Sequence, residues 1–157
     1  MKKLTKFVAV AFLAVAMLFA VGCKGLKPAT ASGEKTVTVK IVNGESVQSF
    51  TIDTNVLYFS DVFVLLVNEK KVSAKYSYSS YGMYVTEVNG TAMTATQYWA
   101  LFSDVEDELV SAVTSTSDFD KPYEMDGKSY YSALVGASSM PCLDGQTYLW
   151  VLTDYAG

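Results

Sequence analysis

The sequence holds no histidine and no arginine; all twelve of its basic residues are lysines. It has two cysteines and three prolines in 157 residues. Without histidine, the chain cannot build a histidine-dependent triad or a His-ligated zinc site from its own residues. Without arginine, it has no bidentate guanidinium clamp for phosphate. Two cysteines give no disulfide framework, and a catalytic thiolate would lack its usual imidazole partner. No phosphate-binding glycine loop and no zinc-ligand spacing occurs.

What is present begins with an address. Lys2, Lys3 and Lys6 precede an unbroken apolar run from Phe7 to Val21, closed by Gly22 and Cys23. A basic head, an apolar stretch and small residues before a cut site form the secretory pattern. The run gives roughly 22 Å of helix, short of the roughly 30 Å of a bilayer core. Ala20-Val21-Gly22-Cys23 resembles a bacterial lipoprotein box. That resemblance implies cleavage after residue 22, lipidation at Cys23 and an outward-facing position on a bacterial cell membrane. Residues 23–34 contain Pro28, Gly25 and Gly33 and read as a flexible tether.

Removing residues 1–22 takes away three lysines and no acid, so the net charge moves from −4 to −7. A negative surface argues against nucleic acid as a partner. The remaining 135 residues suffice for one core, which must hold without a disulfide. Cys142 reads as a small buried apolar residue.

The body reads mostly as strands. Thr36 to Ile41 alternates strictly, Asn43-Gly44 follows as a hairpin signal, and Val47 to Ile52 returns. From Asn55 to Lys71 the pattern changes. Ser60 or Asp61 is suited to cap a helix whose buried side carries Val62, Phe63, Leu65, Leu66 and Val67. A buried strand over Val62–Val67 has the same periodicity; the polar ending Asn68 to Lys71 favours the helix. Further strands are expected over Val72–Tyr78, Met83–Val88 (closed by Asn89-Gly90), Tyr98–Phe102, Ser129–Val135 and Thr147–Thr153. Asp104–Glu108 and Asp118–Asp126 read as acidic, solvated loops. Neither holds the glycine-bearing spacing of a calcium loop.

The run Tyr81 to Gly90, then Tyr98-Trp99, then Gly136-Ala137 and Leu143-Asp144-Gly145-Gln146 before the last strand, resembles the transcobalamin-like C-terminal domain family of bacterial surface proteins. The resemblance covers about 35–155. It implies an α+β, β-grasp-like mixed sheet with one helix over 35–157. In the two-domain transcobalamin-type proteins this domain covers one face of a corrinoid beside a helical domain, and no helical domain is present here. Cobalamin is therefore a minor expectation, and no other cofactor is expected.

The candidate binding residues are aromatic. Tyr76 and Tyr78 share one strand face, Tyr81 and Tyr84 follow, and Tyr98 and Trp99 point to opposite faces of one strand. Rings with hydroxyl tips suit sugars, flat macrocycles or protein partners; they also fit an ordinary half-buried strand. Nothing selects a catalytic pair from the sixteen acids. The expected function is a non-catalytic, membrane-anchored module that binds a small molecule or glycan. The alternative is a structural or protein-interaction domain of the cell envelope.

Overall fold

The computed structural model describes residues 31–155. The signal segment, Cys23 and most of the tether lie outside the described residues. The domain is mixed α+β, mostly strands with one helix. A curled six-stranded sheet is accompanied by a separate three-stranded one.

β1 (Lys35–Asn43) and β2 (Ser46–Thr54) form an antiparallel hairpin. The alternation of Thr36 to Ile41 acts as expected: Val37, Val39 and Ile41 are buried on one face. Phe50 and Ile52 of β2 pack against the same core. The turn sits one residue later than the Asn43-Gly44 signal indicates. Asn43 still pairs with Ser46, and Gly44 takes the left-handed conformation at φ 59°.

Helix α1 (Phe59–Asn68) follows. Phe59, Val62, Phe63 and Leu66 face inward at helical spacing and are fully buried. Burying each contributes about 1.5–3 kcal/mol. The expected caps are not used. The residue at the cap position is Tyr58, with no side-chain cap, and Ser60 lies inside the helix. The first amides are taken by a distant loop instead: Phe59 N–H donates to Met140 C=O at 2.9 Å and Ser60 N–H to Ala137 C=O at 3.0 Å. Backbone carbonyls satisfy the orphan donors that a Ser or Asp side chain would otherwise hold.

β3 (Ala74–Ser79), β4 (Gly82–Val88) and β5 (Thr91–Ala92) form the smaller antiparallel sheet. Asn89 and Gly90, both left-handed at φ 48° and 81°, make the tight turn into β5 that their sequence signals. β6 (Gln97–Ser103), β7 (Tyr123–Met125), β8 (Lys128–Ser132) and β9 (Thr147–Asp154) complete the large sheet, in the order β2-β1-β9-β6-β8-β7. β9 lies parallel to β1 and antiparallel to β6. β8 stops at Ser132 rather than running to Val135.

The sheet's two faces bury separate clusters. Trp99, Leu101, Tyr148 and Trp150 meet the helix on one face. Ala100, Phe102, Leu149 and Val151 face the other, where Tyr130 of β8 and Tyr123 of β7 curl over them. The Tyr148 hydroxyl donates to Pro141 C=O at 2.7 Å and accepts Leu143 N–H at 2.9 Å, tying the 141–143 segment to the core. Cys142 within that segment is free and buried, and burial pushes its thiol pKa up.

The acidic segments are not simply solvated loops. Asp104 is buried. Its Oδ2 pairs with Lys128 Nζ at 2.5 Å and its Oδ1 accepts Thr147 N–H at 2.7 Å. Val105, Val110, Ser111 and Ala112 are buried behind it, and Glu124 belongs to β7. Asp104 thus joins β6 to β8 and β9, which is why a carboxylate is held there.

Candidate ligand groove

β8 pairs with β6 only at Phe102 and Ser103. Beyond that point the chain of 133–137 departs, leaving the first half of β6 without a neighbour on that side. The gap between this part of β6, the start of β4 and the 132–137 segment is a groove of about 620 Å³. Tyr81, Tyr84, Tyr98 and Trp99 line it, with Leu134 and Trp150. No Asp, Glu or Lys contributes to the lining.

A close backbone approach closes one end. A Cβ added to Gly136 would stand 2.5 Å from Tyr81 C=O, so only glycine fits there. Gly82, at φ 96°, packs less tightly, with an added Cβ 3.0 Å from the Ser138 side chain, and Met83 N–H donates to Ser138 Oγ at 3.0 Å. Two glycines therefore seat the β3–β4 hairpin on the 136–138 loop.

The aromatic residues expected at a site divide into two groups. Trp99 is buried, and its indole N–H donates to Thr91 C=O at 3.1 Å. Tyr98, on the opposite face of β6, stacks on Tyr155 with ring centroids 4.6 Å apart. The Tyr84 hydroxyl meets Met93 Sδ at 3.1 Å. Tyr81, at the hairpin tip, is 90% exposed, so its ring is free to meet a ligand. Tyr76 and Tyr78 do not line the groove. Tyr76 packs edge-on against Phe63 of the helix, and Tyr78 packs against Tyr76. The face of β3 that borders the groove carries Ser77 and Ser79 instead.

Partial desolvation raises the pKa of Tyr84 and of Tyr98, and nearby Tyr155 raises both further. Their phenols stay protonated and can donate or accept at neutral pH. Trp150 also borders the groove, and its Nε1 has no hydrogen-bond partner among the described residues. Sequence reasoning missed Trp150, which lines the groove, and Tyr155, which lies outside the lining but stacks on Tyr98. Trp150 falls within the expected last strand, Thr147–Thr153, but only the fold brings it to the same groove as Trp99. Tyr155 carries no local signal at all.

A second concavity, about 670 Å³, lies at the start of β1 and is lined by Glu34, Lys35, Asp53 and Asp144 among others. Its carboxylates serve the fold: Thr36 N–H donates to Asp144 at 2.8 Å and Thr36 Oγ1 to Asp53 at 2.7 Å. No group of three His, Cys, Asp or Glu among the described residues is placed to hold a metal ion. No described helix is long and apolar enough to cross a membrane.

The fold has solved counterparts. A candidate metal-binding protein from Ruminococcus gnavus aligns over 78% of this chain and 100% of its own, with TM-score 0.54 and 19% identity. Haptocorrin, solved in complex with Cbi, aligns over 80% of this chain with TM-score 0.57 and 14% identity. The chain spans only 26% of haptocorrin's length. At these identities the likeness is one of fold. No protein-family model matches the sequence, and no curated protein matches it.

Proposed function

We propose that this chain is a lipid-anchored, outward-facing bacterial module of β-grasp type, related to the transcobalamin C-terminal domain, whose groove binds a small molecule or glycan without transforming it. The observation that carries the reading is the groove itself. Four aromatic residues expected to bind, Tyr81, Tyr84, Tyr98 and Trp99, border one concavity whose lining carries no charged residue. Aromatic faces with protonated hydroxyls suit ring-shaped, uncharged ligands. The lining has serine hydroxyls but no base to activate them. The hairpin, helix and parallel closing strand support the β-grasp assignment.

Both tryptophans of the chain border the groove. Intrinsic fluorescence titrated with corrinoids and with uncharged cell-wall glycans therefore tests the reading. The expected result is a saturable change that Tyr84→Ala weakens. A folded sample with no response to any of them would contradict it. Lipidation at Cys23 is tested separately: incorporation of a fatty-acid analogue should disappear in Cys23→Ser.

A second reading, a protein-interaction domain of the envelope, is favoured by one specific observation, the unpaired edge of β6 within the groove.

A further inference from the structure

The main chain of β6 has a fixed phase. β9 offers its even-numbered residues to β1, since Thr38 N–H donates to Gln146 C=O and the parallel ladder continues from there. Its odd-numbered residues are left for β6, where Val151 faces Ala100 and Thr153 faces Tyr98. The even-numbered residues of β6 are therefore bonded to β9, and the odd-numbered ones point to the opposite edge. Leu101 confirms the phase: its C=O accepts Ala133 N–H at 2.9 Å on that edge. Gln97, in the same phase, is satisfied by a local turn, with its C=O accepting Thr94 N–H at 3.0 Å and its N–H donating to Thr94 Oγ1 at 3.0 Å. Trp99 lies between them. Its N–H and C=O point to the groove side, where β8 does not pair with it and no turn or side-chain partner for either is found among the described residues.

A donor and an acceptor that belong to one residue of a strand point the same way. A single trans amide, such as an acetamido group on a sugar, has its N–H and C=O pointing in opposite directions and meets only one of them. Meeting both takes either a primary carboxamide or two amides flanking one Cα in the extended conformation, and only the latter continues along the edge the ladder that Ala133 begins at Leu101. The geometry points to a short, extended peptide segment as the occupant, paired antiparallel with Trp99 along the edge of β6. Pairing of this kind is strand addition to a free sheet edge. Side-chain chemistry follows from the walls. The peptide residue opposite Trp99 lies on the same face as the two indoles and is apolar. Its neighbours lie on the face of Tyr98 and Ala100. None is charged, because the lining offers no counter-ion. A strand residue here also brings carbonyl oxygens close to Trp150, whose indole N–H lacks an acceptor.

This inference rests on the groove being the ligand site and gives the second functional reading a chemistry. The test uses the full chain and a pool of capped pentapeptides, Ac-Thr-X-Thr-X-Thr-NH2 with X Val, Leu, Phe or Tyr, beside chitin oligosaccharides and cobinamide. Amide hydrogen exchange is followed by NMR. The expected result is that peptide slows exchange at Trp99 and leaves Ala100, already bonded to β9, unchanged. N-methylation of the peptide amide opposite Trp99 should weaken binding about tenfold. A response to oligosaccharide or cobinamide with none to peptide overturns the inference and leaves the groove as the ligand site. Peptide binding without protection of Trp99 overturns it as well. No response to any probe removes both.

Discussion

Gly136→Ala is the sharpest perturbation of the groove's construction. The new Cβ would meet Tyr81 C=O at 2.5 Å, against an ordinary contact of 3.4 Å or more. The hairpin tip or the 136–138 segment must then retreat by about 0.9 Å, and neither is a side-chain end that can swing away. Overpacking of this kind costs about 1–3 kcal/mol. The φ of Gly136 is not in the left-handed region, so alanine brings no backbone strain, and it stiffens the unfolded chain by about 0.4–1 kcal/mol in the opposite sense. The net expectation is a loss of about 1–2 kcal/mol, or a fall in Tm of roughly 3–8 °C for a domain of this size. Urea unfolding followed by tryptophan fluorescence gives the first number. Hydrogen exchange gives the location: the Met83 amide, held by Ser138 Oγ, should exchange faster, while β1 and β9 keep their protection. An alanine variant as stable as the parent, with Met83 still protected, would refute the claim that the hairpin is seated on the glycine.

Tyr148→Phe leaves Pro141 C=O and Leu143 N–H without their shared hydroxyl and should cost about 2–4 kcal/mol in urea unfolding. Lys128→Met leaves the buried Asp104 carboxylate without its cation and should cost about 1–3 kcal/mol at neutral pH. The hydrogen bond to Asp104 raises the Lys128 pKa above its ordinary 10.5, so its contribution is full below that pH and is lost as pH rises through the folded value. The stability gap between parent and Lys128→Met should therefore narrow above about pH 10.5 in a series of urea melts. Burial also raises the Tyr148 pKa, so the unfolded chain ionises first and the whole domain should weaken in alkali. Tyr84→Ala and Tyr98→Ala should weaken ligand binding severalfold by fluorescence titration, while Tyr78→Ala, whose ring lies off the groove, should leave it unchanged.

Legibility in the sequence followed the range of the interactions. The β1–β2 hairpin, the Asn89-Gly90 turn and the inward face of the helix depend on neighbours within a few residues, and their patterns are direct. The helix start carries no side-chain cap signal because its amides are taken by carbonyls at 137 and 140. The acidic stretch at 104 looked solvated because the partners that bury it, Lys128 and Thr147, lie 24 and 43 residues away. The aromatic residues were visible as a set, but their grouping was not. Alternation along β3 sends Tyr76 and Tyr78 to the helix side, and a strand pairing that stops at Phe102 opens the groove beside Tyr98 and Trp99. Where pairing stops depends on the departure of residues 133–137, which no local motif signals.

The most direct test of the groove as the ligand site is an NMR titration of the full chain with a mixture of uncharged glycans, corrinoids and capped peptides. The indole N–H signals of Trp99 and Trp150 and the amides of 81–84 and 98–100 are the ones to follow. The expected result is a saturable shift confined to those signals. Shifts centred instead on the carboxylate-lined concavity of Glu34, Asp53 and Asp144, or no shift from a folded sample, would contradict it.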